Sequence, residues 1–64
     1  MTKHEKKRLQ ALAAEWRRNA RAGRKLEKTL RSDGFPMGAA MTKSMSDMAA
    51  QHAAQLAHIL RRAR

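Results

Sequence analysis

Arg31-Ser32-Asp33-Gly34-Phe35-Pro36 decides the fold of this 64-residue chain. A helix arriving from the N-terminal side cannot run through it. Gly34 is the residue type that adopts a left-handed C′ conformation without steric cost, and Pro36 has no amide with which to continue a helical ladder. With Gly34 at C′, Phe35 is C″ and Leu30 is C3, the apolar pair that accompanies a Schellman stop. Upstream of this stop, Thr2 and Glu5 have the S/T-x-x-E spacing of a capping box, which sets a helix start at Lys3. Only Gly23 weakens the intervening helix, at about 1 kcal/mol relative to Ala. Downstream, a second helix begins between Met37 and Thr42. Gly38 is a permissive N-cap, and Ser44 with Asp47 offers a later start. From Ala39 to Ala63 nothing breaks it, Ala is frequent, and Arg61, Arg62 and Arg64 suit the negative end of its dipole. No stretch alternates as a strand would. The expected fold is therefore all-α: an antiparallel two-helix hairpin in one domain, 1–64, with helix 1 over 3–32, a turn over 33–38 and helix 2 over 39–63.

A chain this short buries only about 60% of the surface its unfolded form exposes, and folds of this size usually need a staple. Cysteine is absent, which excludes disulfides and cysteine-based zinc sites. The three His are scattered; His52 and His58, six apart, do not share a helical face, so no metal site is expected, and no other cofactor. The remaining staple is association, and a homodimeric four-helix bundle is the expected form. Met48–Leu60, the longest stretch without Asp, Glu, Lys or Arg, is too short and too polar to span a bilayer. The N-terminus lacks a signal-peptide core, so a cytoplasmic protein is expected. With no Tyr, no Cys and few carboxylates, a preorganised catalytic pocket is not expected, and the chain reads as a non-enzyme.

Advancing 100° per residue separates the helical faces. On helix 1, Leu9, Leu12, Ala13, Trp16, Ala20, Gly23, Leu26 and Leu30 share an arc, and the 9, 12, 16, 19, 23, 26, 30 spacing reads as a packing seam. On helix 2, Met41, Met45, Met48, Ala49, His52, Leu56, Ile59, Leu60 and Ala63 fall on one arc. Ala39, Ala50, Ala53, Ala54 and Ala57 fall largely on the other. A helix with large residues on one side and small ones on the other can be approached from two directions, one by helix 1 and one by a second copy or a partner helix. Alternatively, Ala serves simply as an exposed helix former. Trp16 is expected as a core anchor, His52 as a satisfied core residue bonded across a dimer axis or to Asn19, and Met37, Met41, Met45 and Met48 as a flexible core beside Phe35 and Leu30.

Charge is the strongest functional signal. The net charge is +10, and residues 1–31 carry eleven of the fifteen Lys and Arg with three of the five carboxylates, a local +8. Lys3, Lys6, Arg17, Arg21, Arg24 and Lys28 lie opposite the apolar arc, flanked by Lys7, Lys25 and Arg18. A solvated face kept basic for solubility would have the same composition, but such faces usually mix signs as i,i+4 pairs. Here no Glu lies opposite the apolar arc, so the stripe is left for something else to neutralise. Trp16-Arg17-Arg18-Asn19-Ala20-Arg21-Ala22-Gly23-Arg24-Lys25 is similar to helical arginine-rich motifs, whose guanidinium groups reach phosphates and base edges.

Met1-Thr2-Lys3 and Glu5-Lys6, together with the hairpin plan, also resemble the Rop family of plasmid-encoded proteins. That resemblance implies a hairpin that dimerises into a four-helix bundle and binds paired RNA loops with helix 1; it transfers no individual site residue.

The expected function is that of a small nucleic-acid-binding regulator, with RNA slightly preferred over DNA. The expected contacts are Lys3, Lys6, Lys7, Arg17, Arg18, Arg21, Arg24, Lys25 and Lys28. The alternative is a protein-interaction module, an inhibitor or adaptor docking on an acidic surface of a larger nucleic-acid-processing machine. A basic amphipathic helix lying on a membrane surface is the third reading.

Overall fold

The computed structural model describes residues 1–62. It is a hairpin of two α-helices, α1 over Lys3–Ser32 and α2 over Pro36–Arg62, packed along their length. The molecule is 48 Å long, close to the ~45 Å that the 30 residues of α1 give at 1.5 Å per residue. Ala63 and Arg64, which the sequence places at the end of α2, lie outside the described residues.

Both ends of α1 form as their local chemistry dictates. The Glu5 amide donates to Thr2 Oγ1 at 3.1 Å, and the Thr2 amide donates to Glu5 Oε1 at 3.0 Å, completing the capping box. These bonds, the one from the Thr2 backbone first, hold the Glu5 carboxyl below its ordinary range. At the other end the Phe35 amide donates to the Leu30 carbonyl at 2.8 Å and the Gly34 amide to the Arg31 carbonyl at 3.3 Å. This is the six-to-one and five-to-two pair of a Schellman stop, and Gly34 takes a φ of 84°. Helix α2 starts earlier than expected, at Pro36 and not near residue 39. A proline ring is pre-set for the first helical position, where its missing amide costs no bond, so the turn needs only Asp33, Gly34 and Phe35.

The seam between the helices differs from the one read from hydrophobicity. Along α1 it runs through Leu9, Ala13, Trp16, Ala20, Gly23, Glu27 and Leu30; along α2 it runs through Ala39, Thr42, Ser46, Ala49, Ala53, Leu56 and Leu60. All of these are buried or half-buried. The spacing is still alternately three and four, but Ala13, Ala20 and Glu27 replace Leu12, Asn19 and Leu26. The fully buried members are Ala13, Ala20, Ala39, Ser46, Ala49 and Ala53, every one of them small. Small side chains let the two backbones approach closely, and the closest point is at Gly23. A Cβ built there would overlap the Ser46 hydroxyl and stand 3.2 Å from Ser46 Cβ. Ser46 Oγ is satisfied by donating to the Thr42 carbonyl at 2.8 Å, and Thr42 Oγ1 donates to the Gly38 carbonyl at the same distance. A hydroxyl bonded to its own helix can therefore sit in the seam without an orphaned donor.

Other large apolar side chains lie outside this seam. Met37, Met41, Met45 and Met48 are exposed, Met37 at 78% and Met45 at 70%; Phe35, Leu12, Leu26 and Ile59 are exposed as well. The methionines and Phe35 are thus not a core at the turn. His52 is exposed, not a core residue of the hairpin, and its ring stands 5.0 Å from that of Trp16 at an interplanar angle of 40°. Trp16 itself is half-buried at its seam position.

Candidate nucleic-acid interface

Because the seam is narrow, each helix keeps two free flanks, and the flanks pair across the hairpin into two different surfaces. On one side of the seam, Arg17, Arg21 and Arg24 of α1 stand beside Ala50, Ala54 and Ala57 of α2. Ala20 and Ala53 form the floor of the shallow groove between them, about 490 Å³ in volume. On the other side, Trp16, Asn19 and Leu26 face Thr42 and Met45 over a floor of Gly23, Ser46 and Ala49, a cleft of about 290 Å³. The hairpin therefore has a basic face and an apolar face.

The nine cations expected from the sequence, Lys3, Lys6, Lys7, Arg17, Arg18, Arg21, Arg24, Lys25 and Lys28, are all on α1 and all exposed. The structure brings Arg17, Arg21 and Arg24 into one groove. Their i, i+4, i+7 spacing places them about 6 and 4.5 Å apart along the helix axis. Lys3, Lys6, Lys7, Arg18, Lys25 and Lys28 do not line that groove. Among the described residues the ion pair is between Arg31 and Glu27, 3.1 Å apart and one turn from each other on α1. None of the nine candidate cations takes part in it, so the basic face carries no internal neutralisation among these residues. Glu27 reaches Arg31 from a half-buried seam position, which explains why a carboxylate on the apolar side of α1 does nothing for the stripe.

The wall opposite the arginines was not among the expected contacts. Ala50, Ala54 and Ala57 read from the sequence as one arc of a small-residue helix, and the signal that could have found them is that this arc lies beside the seam rather than away from it. Side chains ending at Cβ keep the wall low, so a bulky polyanion can descend to the guanidinium groups without displacing anything. Beyond Ala54 the surface of α2 continues as Gln51, Gln55, His58, Ile59 and Arg61 around a second shallow depression, all but Ile59 supplying hydrogen-bonding groups next to the groove. Among the described residues no cluster of three or more His, Asp or Glu side chains could hold a metal ion, and no helix is long and apolar enough to cross a membrane.

No family model, no curated protein and no solved structure matches this chain. The likeness to the Rop family accordingly rests on five opening residues and on the hairpin plan.

Proposed function

We propose that the protein binds nucleic acid through the basic face of α1, as a small homodimeric regulatory protein of the cytoplasm with no catalytic activity of its own. The observation that carries this reading is the groove of Arg17, Arg21 and Arg24, exposed, in no ion pair among the described residues, and walled on its far side by alanines. A row of like charges one turn apart repels itself and costs the fold stability. A phosphate backbone laid along it removes that cost and releases its own condensed counterions. The low alanine wall supports a wide occupant such as a duplex. RNA is slightly favoured over DNA because the Arg17–Lys25 cluster resembles arginine-rich RNA-binding helices.

The test is a direct titration of duplex RNA, duplex DNA and a stem-loop at two salt concentrations, with Arg21→Gln and Arg24→Gln combined as the variant. Both side chains are exposed and outside the seam, so the variant keeps its helical content. Removing one cation from a duplex phosphate lowers the slope of log K against log salt by about 0.9, so the double variant binds more weakly with a slope smaller by roughly two. Absence of binding to all three probes at ~50 mM salt, where electrostatic affinity is strong, overturns the reading and favours an acidic protein partner.

A further inference from the structure

The apolar face opposite the basic groove has no function in a single hairpin. Leu26 and Met45 line the cleft there, Met41 and Met48 stand one turn to either side of Met45 on α2, all four are exposed, and the hairpin's fully buried core consists of alanines and one serine. A compact folded chain of 7.3 kDa exposes about 4,200 Å², whereas this one exposes 5328 Å². The excess of roughly 1,100 Å² is somewhat more than the ~800 Å² each partner gives to an interface of standard size. The helix-2 members Met41, Met45, Met48, His52 and Ile59 repeat at spacings of four, three, four and seven. This is a second packing stripe beside the one α1 already occupies.

The occupant that fits is a second copy. A chain of net charge +10 is repelled from another at the basic face, and it meets no Asp, Glu, Lys or Arg in the cleft lined by Trp16, Leu26 and Met45. Two copies related by a two-fold axis would bring identical stripes together, and methionine side chains adapt to such a self-match without a fixed shape. The apolar and basic surfaces lie on opposite sides of the same seam. Joining two hairpins by their apolar faces therefore turns both arginine grooves outward, away from each other.

We infer that the dimer is a nucleic-acid bridge: each copy holds a separate duplex in its own Arg17–Arg21–Arg24 groove, and the protein joins the two. This rests on the nucleic-acid reading above and adds to it the number and placement of the bound segments.

Three measurements on the full chain separate the two ideas. Light scattering across a concentration series gives the mass. Fluorescence anisotropy with a single labelled duplex RNA gives binding. Capture of that labelled duplex by bead-immobilised, unlabelled duplex of the same sequence gives bridging. The expected result is a dimer that binds and captures, with capture falling away at dilutions where the mass falls to a monomer. The combined variant Met41→Gln, Met45→Gln and Met48→Gln keeps every charge and touches no seam residue. It is expected to be a monomer that binds single duplex but captures at least tenfold less. If that variant loses its helical circular dichroism, the dilution series of the unmodified protein carries the test alone. Dimer binding without capture, or capture unchanged through the dilution to monomer, overturns the bridge and leaves the nucleic-acid reading standing. A monomer at every concentration also overturns the bridge, leaving the apolar face to another partner. No binding to the single duplex overturns both.

Discussion

Gly23→Ala is the substitution whose outcome depends most directly on how the helices meet. In an isolated helix it would be favourable, because Ala exceeds Gly in helix propensity by about 1 kcal/mol. In this hairpin the new Cβ overlaps the Ser46 hydroxyl and stands 3.2 Å from Ser46 Cβ. Ser46 can withdraw its hydroxyl only by giving up the 2.8 Å bond to the Thr42 carbonyl, a loss of about 0.5–1.5 kcal/mol for a buried donor. The crowding of the two Cβ atoms remains, and overpacking of this kind costs about 1–3 kcal/mol. After crediting the propensity gain, Gly23→Ala should destabilise by about 0.5–3.5 kcal/mol, with the midpoint lowered by roughly 4–8 °C for each kcal/mol. In a Ser46→Gly background both offending atoms are gone and only Ser46 Cα, at an ordinary 3.8 Å, is left facing the new methyl. There the same change should stabilise by about 1 kcal/mol. The assay is a double-mutant cycle by urea unfolding at one fixed protein concentration, read by circular dichroism and by Trp16 fluorescence. Stabilisation of similar size in both backgrounds would refute the close approach of α1 and α2 at this point.

Other outcomes follow from the same geometry. Gly34→Ala puts a side chain at φ 84° with nothing within 4 Å of the added methyl, so only backbone strain acts. The expected cost is on the order of 1 kcal/mol, and a neutral result in thermal unfolding would show that the left-handed stop is not needed. Glu5 has a folded pKa below its ordinary 4.5, so the stability its carboxylate contributes is present above that value and is lost as pH falls through the lowered one. Glu5→Gln removes this titration; the unmodified protein should be the more stable at neutral pH, with the gap closing in acid, and parallel pH profiles would count against the capping box as its source.

The basic face and the apolar face were unequally legible. Every expected cation is exposed on α1 because an isolated helix already sorts Lys and Arg by angle, and no tertiary contact intervenes. The groove was not legible, because it needs Ala50, Ala54 and Ala57 from a helix that reaches Arg17, Arg21 and Arg24 only after the chain has turned back on itself. Reading His52 and the methionines as core within the single hairpin failed for a related reason. Hydrophobicity ranks Met and Leu above Ala as seam residues, whereas close helix packing favours the smallest side chains.

By itself the sequence determined what acts over one helical turn. Thr2 and Glu5 start α1 and Gly34 and Phe35 stop it, all through bonds between residues three to five apart, whereas the start of α2 at Pro36 was read too late. It also determined that the charge is one-sided, since that follows from 100° per residue and needs no partner. Only the tertiary structure decided which of two neighbouring three-four stripes α2 turns toward α1. Both stripes have the right period. The alanine stripe wins because Gly23 and Ser46 allow the backbones to come closer than any methionine would permit, and that choice leaves the methionines facing outward on the side away from the arginines.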